Sequence, residues 1–203
     1  VSRRALTAIP ALTAVLALTL TPAIADAHLV TTGLGPIYDG LVHFALTPED
    51  LIPALALALL AGLRGASHGR RALFVLPAAW LLGGVLGLTL PHSLTALPTS
   101  ISFVLIGALV AADARLPLSA TTALAAALGA THGYLNGAAM AQPTLGATAI
   151  LGIAAAVFTL VALTASAIVP LQAAWSRTMV RVAGSWIAAI GLLLFGWSFR
   201  PPS

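Results

Sequence analysis

Six long apolar stretches follow one another along this chain, at roughly 48–64, 72–90, 99–113, 118–141, 146–170 and 179–198, with almost no charge inside them. A segment of about 20 apolar residues is long enough to cross a bilayer as a helix. In hydrocarbon every backbone amide must be satisfied internally, which favours the helix for stretches of this length. The first and third stretches are short for a span. Prolines and glycines mark the connections: Gly65, Gly69, Pro91, Pro98, Pro117, Pro143 and Pro170. The expected fold is all-α, a polytopic membrane protein with six transmembrane helices.

Charge supports this reading. Charged residues make up 7% of the chain, against about 25% in soluble domains. The basic charge is nine arginines and no lysine. In a soluble protein a pI near 11.2 would suggest nucleic acid; here it follows from arginines in the connections, so no nucleic-acid partner is expected. Cysteine is absent, which removes disulfides, thiolate Cu(I) sites and iron–sulfur clusters.

Residues 1–27 read as a secretory signal peptide. Arg3 and Arg4 form a basic start, 11-ALTAVLALTL-20 an apolar core, Pro22 a break, and 25-ADA-27 a small-x-small cleavage site. The alternative is an uncleaved first helix. Cleavage after Ala27 leaves a mature membrane domain, 28–203, that begins with His28. Its free amine and imidazole could chelate an ion together; equally, His28 simply follows the signal. A signal puts the mature N-terminus outside. The loops after the first, third and fifth stretches are then cytoplasmic, and they carry Arg64, Arg70, Arg71, Arg115, Arg177 and Arg181, while only Arg200 lies outside. That is the positive-inside pattern. The expected location is a bacterial inner membrane, multi-pass, with both mature termini outside.

The fourth stretch holds the unusual chemistry. Gly129, Gly133 and Gly137 recur every four residues, a small-residue ridge that lets another helix come close. His132, Asn136 and Met140 recur one position back, forming a polar stripe beside that ridge. Polar groups in hydrocarbon are costly and by default functional. The plainer reading is an interhelical hydrogen bond that joins two helices. Gly83 and Gly87 form a second small-xxx-small pair in the second stretch.

Ahead of the first stretch, Pro36 can open a short helix that sets Asp39 and His43 on one face at i,i+4. Asp39 there either ligates or orients His43; an isolated surface pair is the plainer alternative. Thr47, Pro48 and Asp50 read as a helix start resembling a capping box, so Glu49 and Asp50 read as first-turn acids favoured by the helix dipole. His68 reads as a solvated loop residue and His92 as an interfacial one. Trp80, Trp175, Trp186 and Trp197 read as packing or interface anchors. Imidazole with carboxylate and carboxamide, and no thiolate, suits a divalent Ni, Co, Zn or Mn ion.

A signal followed by a histidine, then 33-GLGPIYDGLVHFALTPEDLIPALALALLAGLRG-65, an arginine-rich connection and 132-HGYLNGA-138 resemble the HupE/UreJ family, in particular a branch with YDG-x-x-H…PED. The likeness covers about 28–198. It implies a small polytopic membrane protein associated with nickel enzymes and taken to be a nickel or cobalt permease. Better-known members carry adjacent Asp-His preceded by another His, and later two His-Gly pairs and a Glu. Here Asp39 and His43 are four apart, one His-Gly pair remains, and Asn136 stands where an acid is expected. The resemblance carries over to Asp39, His43, His132 and Asn136.

The resulting expectation is a nickel or cobalt permease and not an enzyme. It captures the ion outside at His43 and Asp39, with His28, and passes it to His132 and Asn136. No permanently bound cofactor is implied. Its partners are the lipid bilayer, the divalent metal ion and a nickel-enzyme maturation system. The alternative is a non-transporting metal-binding accessory protein of a metalloenzyme system. A haem-b electron-transfer protein is a third reading, poorly supplied with axial histidines on facing spans.

Overall fold

The computed structural model describes residues 31–90, 97–140, 146–171 and 173–199. These form seven helices: α1 (Pro36–Leu46), α2 (Pro48–Arg64), α3 (Ala66–Thr89), α4 (Leu97–Ala111), α5 (Leu118–Ala139), α6 (Gly146–Ile168) and α7 (Ala174–Trp197). The last six overlap the six apolar stretches, with α3 and α7 starting earlier than the expected 72 and 179, and α1 is the short helix that Pro36 opens. By length and composition α3, α6 and α7 could each cross a membrane. The α1–α2 pair, bent by 75° at Thr47, raises the number to four if it counts as one span.

The α2 helix is central and touches all six others. Its Ala54, Ala56, Leu57, Ala58, Leu60 and Ala61 have no exposed surface. Around it stand three pairs of helices closed by glycine. In the α3–α5 pair the two ridges mesh. A methyl on Gly129, Gly133 or Gly137 would meet the carbonyl of Leu76, Trp80 or Gly84, and one on Gly83 or Gly87 that of Ala130 or Tyr134. Gly40 and Gly152 do the same between α1 and α6, and between α4 and α7 a methyl on Gly107, Gly184 or Gly191 would meet backbone nitrogens and the side chains of Val110 or Phe103. Lipid supplies no hydrophobic drive for helix association, so such close backbone packing holds the bundle together.

Corners between helices are short. Gly65 joins α2 to α3 with φ +103°, a conformation that costs glycine nothing and a side chain a good deal. Of the six arginines assigned to loops, only Arg115 lies outside a helix. Arg64 ends α2, and Arg70, Arg71, Arg177 and Arg181 fall within the first eight residues of α3 or α7, where a long stem can carry the guanidinium toward the bundle's end. Arg64 and Arg177 both donate to the Asp113 carboxylate, Arg177 at 2.5 Å, and Arg181 donates to the Ala111 carbonyl at 2.9 Å. His68 is likewise helical and half-buried, 3.3 Å from the Leu116 carbonyl. The end of α2, the α4–α5 turn and the start of α7 are thereby tied at one basic end.

Candidate functional site

The opening turn of α2 begins as the sequence implies, with Thr47 at the N-cap and Pro48 as the first helical residue. The side chains do something else. Thr47 donates its hydroxyl to the His43 carbonyl at 2.7 Å rather than capping α2. Asp50 does not turn back to the cap. It is buried at 4% exposure, and its carboxylate accepts from His132 Nδ1 and from Asn136 Nδ2, each at 2.8 Å.

The glycine ridge of α5 explains this placement. Gly133 lies against the Trp80 backbone, so α5 is pressed onto α3 with His132 and Asn136 turned toward α2. The Trp80 ring lies 5.5 Å from the imidazole, tilted by 40°. Its Nε1 donates to Asn136 Oδ1 at 3.2 Å. Phe44 of α1 meets the same indole edge-on at 5.7 Å. An indole N–H only donates and an ionised carboxylate only accepts, so the Asn136 amide has one consistent orientation. The same logic puts the His132 proton on Nδ1 when Asp50 is ionised, which leaves Nε2 as the nitrogen with a lone pair.

That Nε2 faces Ser102 Oγ of α4 at 3.0 Å; the Ser102 hydroxyl also lies 2.7 Å from the Thr99 carbonyl, and with one proton it donates to one of the two at a time. Both side chains border a crevice of 320 Å³ between α4 and α5, lined otherwise by apolar residues such as Ile101, Leu105 and Leu128. The arrangement can hold a proton on one nitrogen and present the other, from a dry bundle, to a small electrophile. Two strong ligands, His132 and Asp50, are supported by neutral oxygens on Asn136 and Ser102. Among the described residues no three His, Cys, Asp or Glu side chains converge tightly enough to hold one metal ion.

The other expected site residues are distributed differently. His43 is half-buried on α1, close enough to feel the charges of Asp50 and Glu49, and its ring has no hydrogen bond to a described residue. Asp39 is buried at 4% exposure and bonds to Thr32 rather than to His43. It accepts from the Thr32 amide and hydroxyl, both at 2.6 Å, and so fastens the segment before α1. His28 and His92 lie outside the described residues, as does the signal expected over 1–27. Sequence reasoning missed Asp50, Trp80 and Ser102 as members of the site. For Asp50 a signal existed: an acid in the first turn of the helix that became the bundle's centre. Trp80 sits three residues before Gly83, a register that the glycine spacing could have shown. Nothing in the sequence singles out Ser102.

An all-helical membrane protein with a buried imidazole–carboxylate–carboxamide cluster at its centre is the class that these observations define. The chain belongs to the HupE/UreJ protein family, which matches residues 16–194. No curated protein and no solved structure matches the chain.

Proposed function

We propose that the protein is a permease for a divalent transition-metal ion, nickel or cobalt, with the ion passing through the Asp50–His132–Asn136 cluster. The observation that carries this reading is the cluster itself. A carboxylate and an imidazole stand side by side in the bundle, the pair 5% and 1% exposed by side chain, and intramembrane ionisable groups mark ion pathways by default. The HupE/UreJ family is associated with nickel and cobalt transport or accessory roles, which agrees with this donor set. In the proposed topology the six helices α2–α7 each cross the membrane of a bacterial cell, the 1–27 segment is a cleaved signal, and the basic end faces the cytoplasm. His43 and Asp39, with His28, form the outer approach. A nickel-enzyme maturation system receives the ion.

The role proposed is transport without catalysis. Ser102, His132 and Asp50 stand in the order of a hydrolase triad, but Ser102 lies inside α4, where the backbone amides are spent on the helix and none is free to hold an oxyanion. A second reading has its own support. Every polar atom of the Asp50 cluster already has a protein partner, which suits a structural or accessory role as a non-transporting metal-binding protein.

Radioactive nickel accumulation in cells separates the two, using wild type, His132→Ala and Asp50→Asn at matched membrane levels, with cobalt, zinc and manganese as competitors. The permease reading expects accumulation above empty cells that falls at least tenfold in both variants. Accumulation no higher than in empty cells would sink nickel import and favour the accessory role.

A further inference from the structure

The basic end carries more positive charge than the protein itself neutralises. Six arginines, Arg64, Arg70, Arg71, Arg115, Arg177 and Arg181, share one acid, Asp113. Arg64 and Arg177 take both of its oxygens, and Arg181 is bonded to a carbonyl. Arg70, Arg71 and Arg115 are exposed and have no acidic partner among the described residues. The acid of the cluster is no help: Asp50 lies ~21 Å from Arg64 along α2, by the helical rise.

At this end a groove of 320 Å³ runs between α3 and α6. Its lining is mostly apolar, with the small residues Gly69, Ala162 and Ala165 beside Leu73 and Val161. Gly69 keeps it open, since an added methyl would crowd the Ala165 side chain at 3.3 Å. Arg70 lines the same groove. It is the fifth residue of α3, ~6 Å above the helix start, and its flexible stem can carry the guanidinium out to headgroup depth. An apolar channel with a free cation at one end matches one molecule in a bilayer: an amphiphile with an acyl chain and a negative head.

We propose that this groove binds an anionic phospholipid, its acyl chain lying between α3 and α6 and its phosphate paired with Arg70. A zwitterionic lipid fills the groove equally well but leaves the positive charge uncompensated. The inference needs the chain to sit in a bilayer and does not depend on which ion the protein handles.

The test is native mass spectrometry of the purified full chain from micelles holding equal amounts of phosphatidylglycerol and phosphatidylcholine. One basic contact near the surface corresponds to a preference of about fivefold. Wild type should retain phosphatidylglycerol over phosphatidylcholine by that factor. Arg70→Gln should bring the ratio within about twofold of unity. Ala162→Phe, which fills the groove and keeps every arginine, should do the same, while Arg115→Gln, outside the groove, should keep the preference. No preference in wild type overturns the proposal. So does a full preference in Arg70→Gln or Ala162→Phe, or an equal loss in Arg115→Gln, which would indicate diffuse attraction to the whole basic end.

Discussion

Glu49 and Asp50 are adjacent acids in the first turn of α2, and replacing each with alanine measures what the structure adds to a helix-dipole argument. If both acids act only through the dipole, each is worth ~0.3–1 kcal/mol, and the two variants should unfold together. The structure separates them. Glu49 is exposed, whereas Asp50 accepts two hydrogen bonds of 2.8 Å from buried donors. Asp50→Ala leaves His132 Nδ1 and Asn136 Nδ2 without an acceptor in a dry site, at ~1–3 kcal/mol for each orphaned group, or about 2–6 kcal/mol together. Asp50→Asn is gentler. Its amide can accept from Asn136 and donate to His132 if the imidazole moves its proton to Nε2, which then donates to Ser102. Packing survives, but the lone pair facing the crevice is lost. The assay is thermal unfolding of the purified protein in one detergent. At ~2–4 °C per kcal/mol for a chain of this size, Asp50→Ala should melt at least about 4 °C below Glu49→Ala, with Asp50→Asn between Asp50→Ala and wild type. Asp50→Ala and Glu49→Ala melting within about 1 °C of each other would refute the cluster as a source of stability.

Two further outcomes can be checked with the same preparation. Gly133→Ala puts a methyl into the Trp80 carbonyl and must part α3 from α5, whereas Gly196→Ala, also helical, meets nothing within 4 Å; the first should lower the melting temperature by several degrees, about 1–3 kcal/mol of strain, and the second should leave it unchanged or raise it slightly, since alanine is the better helix former. Burial pushes the Asp113 carboxyl up, but the hydrogen bond from Arg177 and the charges of Arg64, Arg177 and Arg181 outweigh it and hold the group below the usual carboxylate range. A depressed folded pKa means that its stabilisation is present above the unfolded value of about 3.9 and is lost as pH falls through the folded value. Wild type should therefore lose stability below about pH 4, and Asp113→Asn should be less stable at neutral pH with a shallower loss on acidification, read from melting curves between pH 3 and 7.

Helix-forming stretches are legible here because crossing hydrocarbon demands length and apolarity, both written locally. The boundaries shift where charge misleads. The last stretch was expected from 179, yet α7 starts at Ala174, since Arg177 and Arg181 can be helical while their heads reach Asp113 and the Ala111 carbonyl. The glycine ridge of α5 and the Gly83–Gly87 pair were each visible as places of close approach. That they face one another is a fact about two separate helices, and no spacing within either could state it.

The sequence by itself determined an all-helical apolar bundle, the glycine positions that allow contact, and the oddity of His132 and Asn136 inside it. Only the tertiary structure decided their partner. Asp50 reaches them across 82 and 86 residues of chain, while Asp39, which shares a helix face with His43, bonds to Thr32 instead. Local spacing specifies which face of a helix a side chain occupies. Which buried donor meets which acceptor depends on how whole helices pack, and here the glycines of α3 and α5 set that distance.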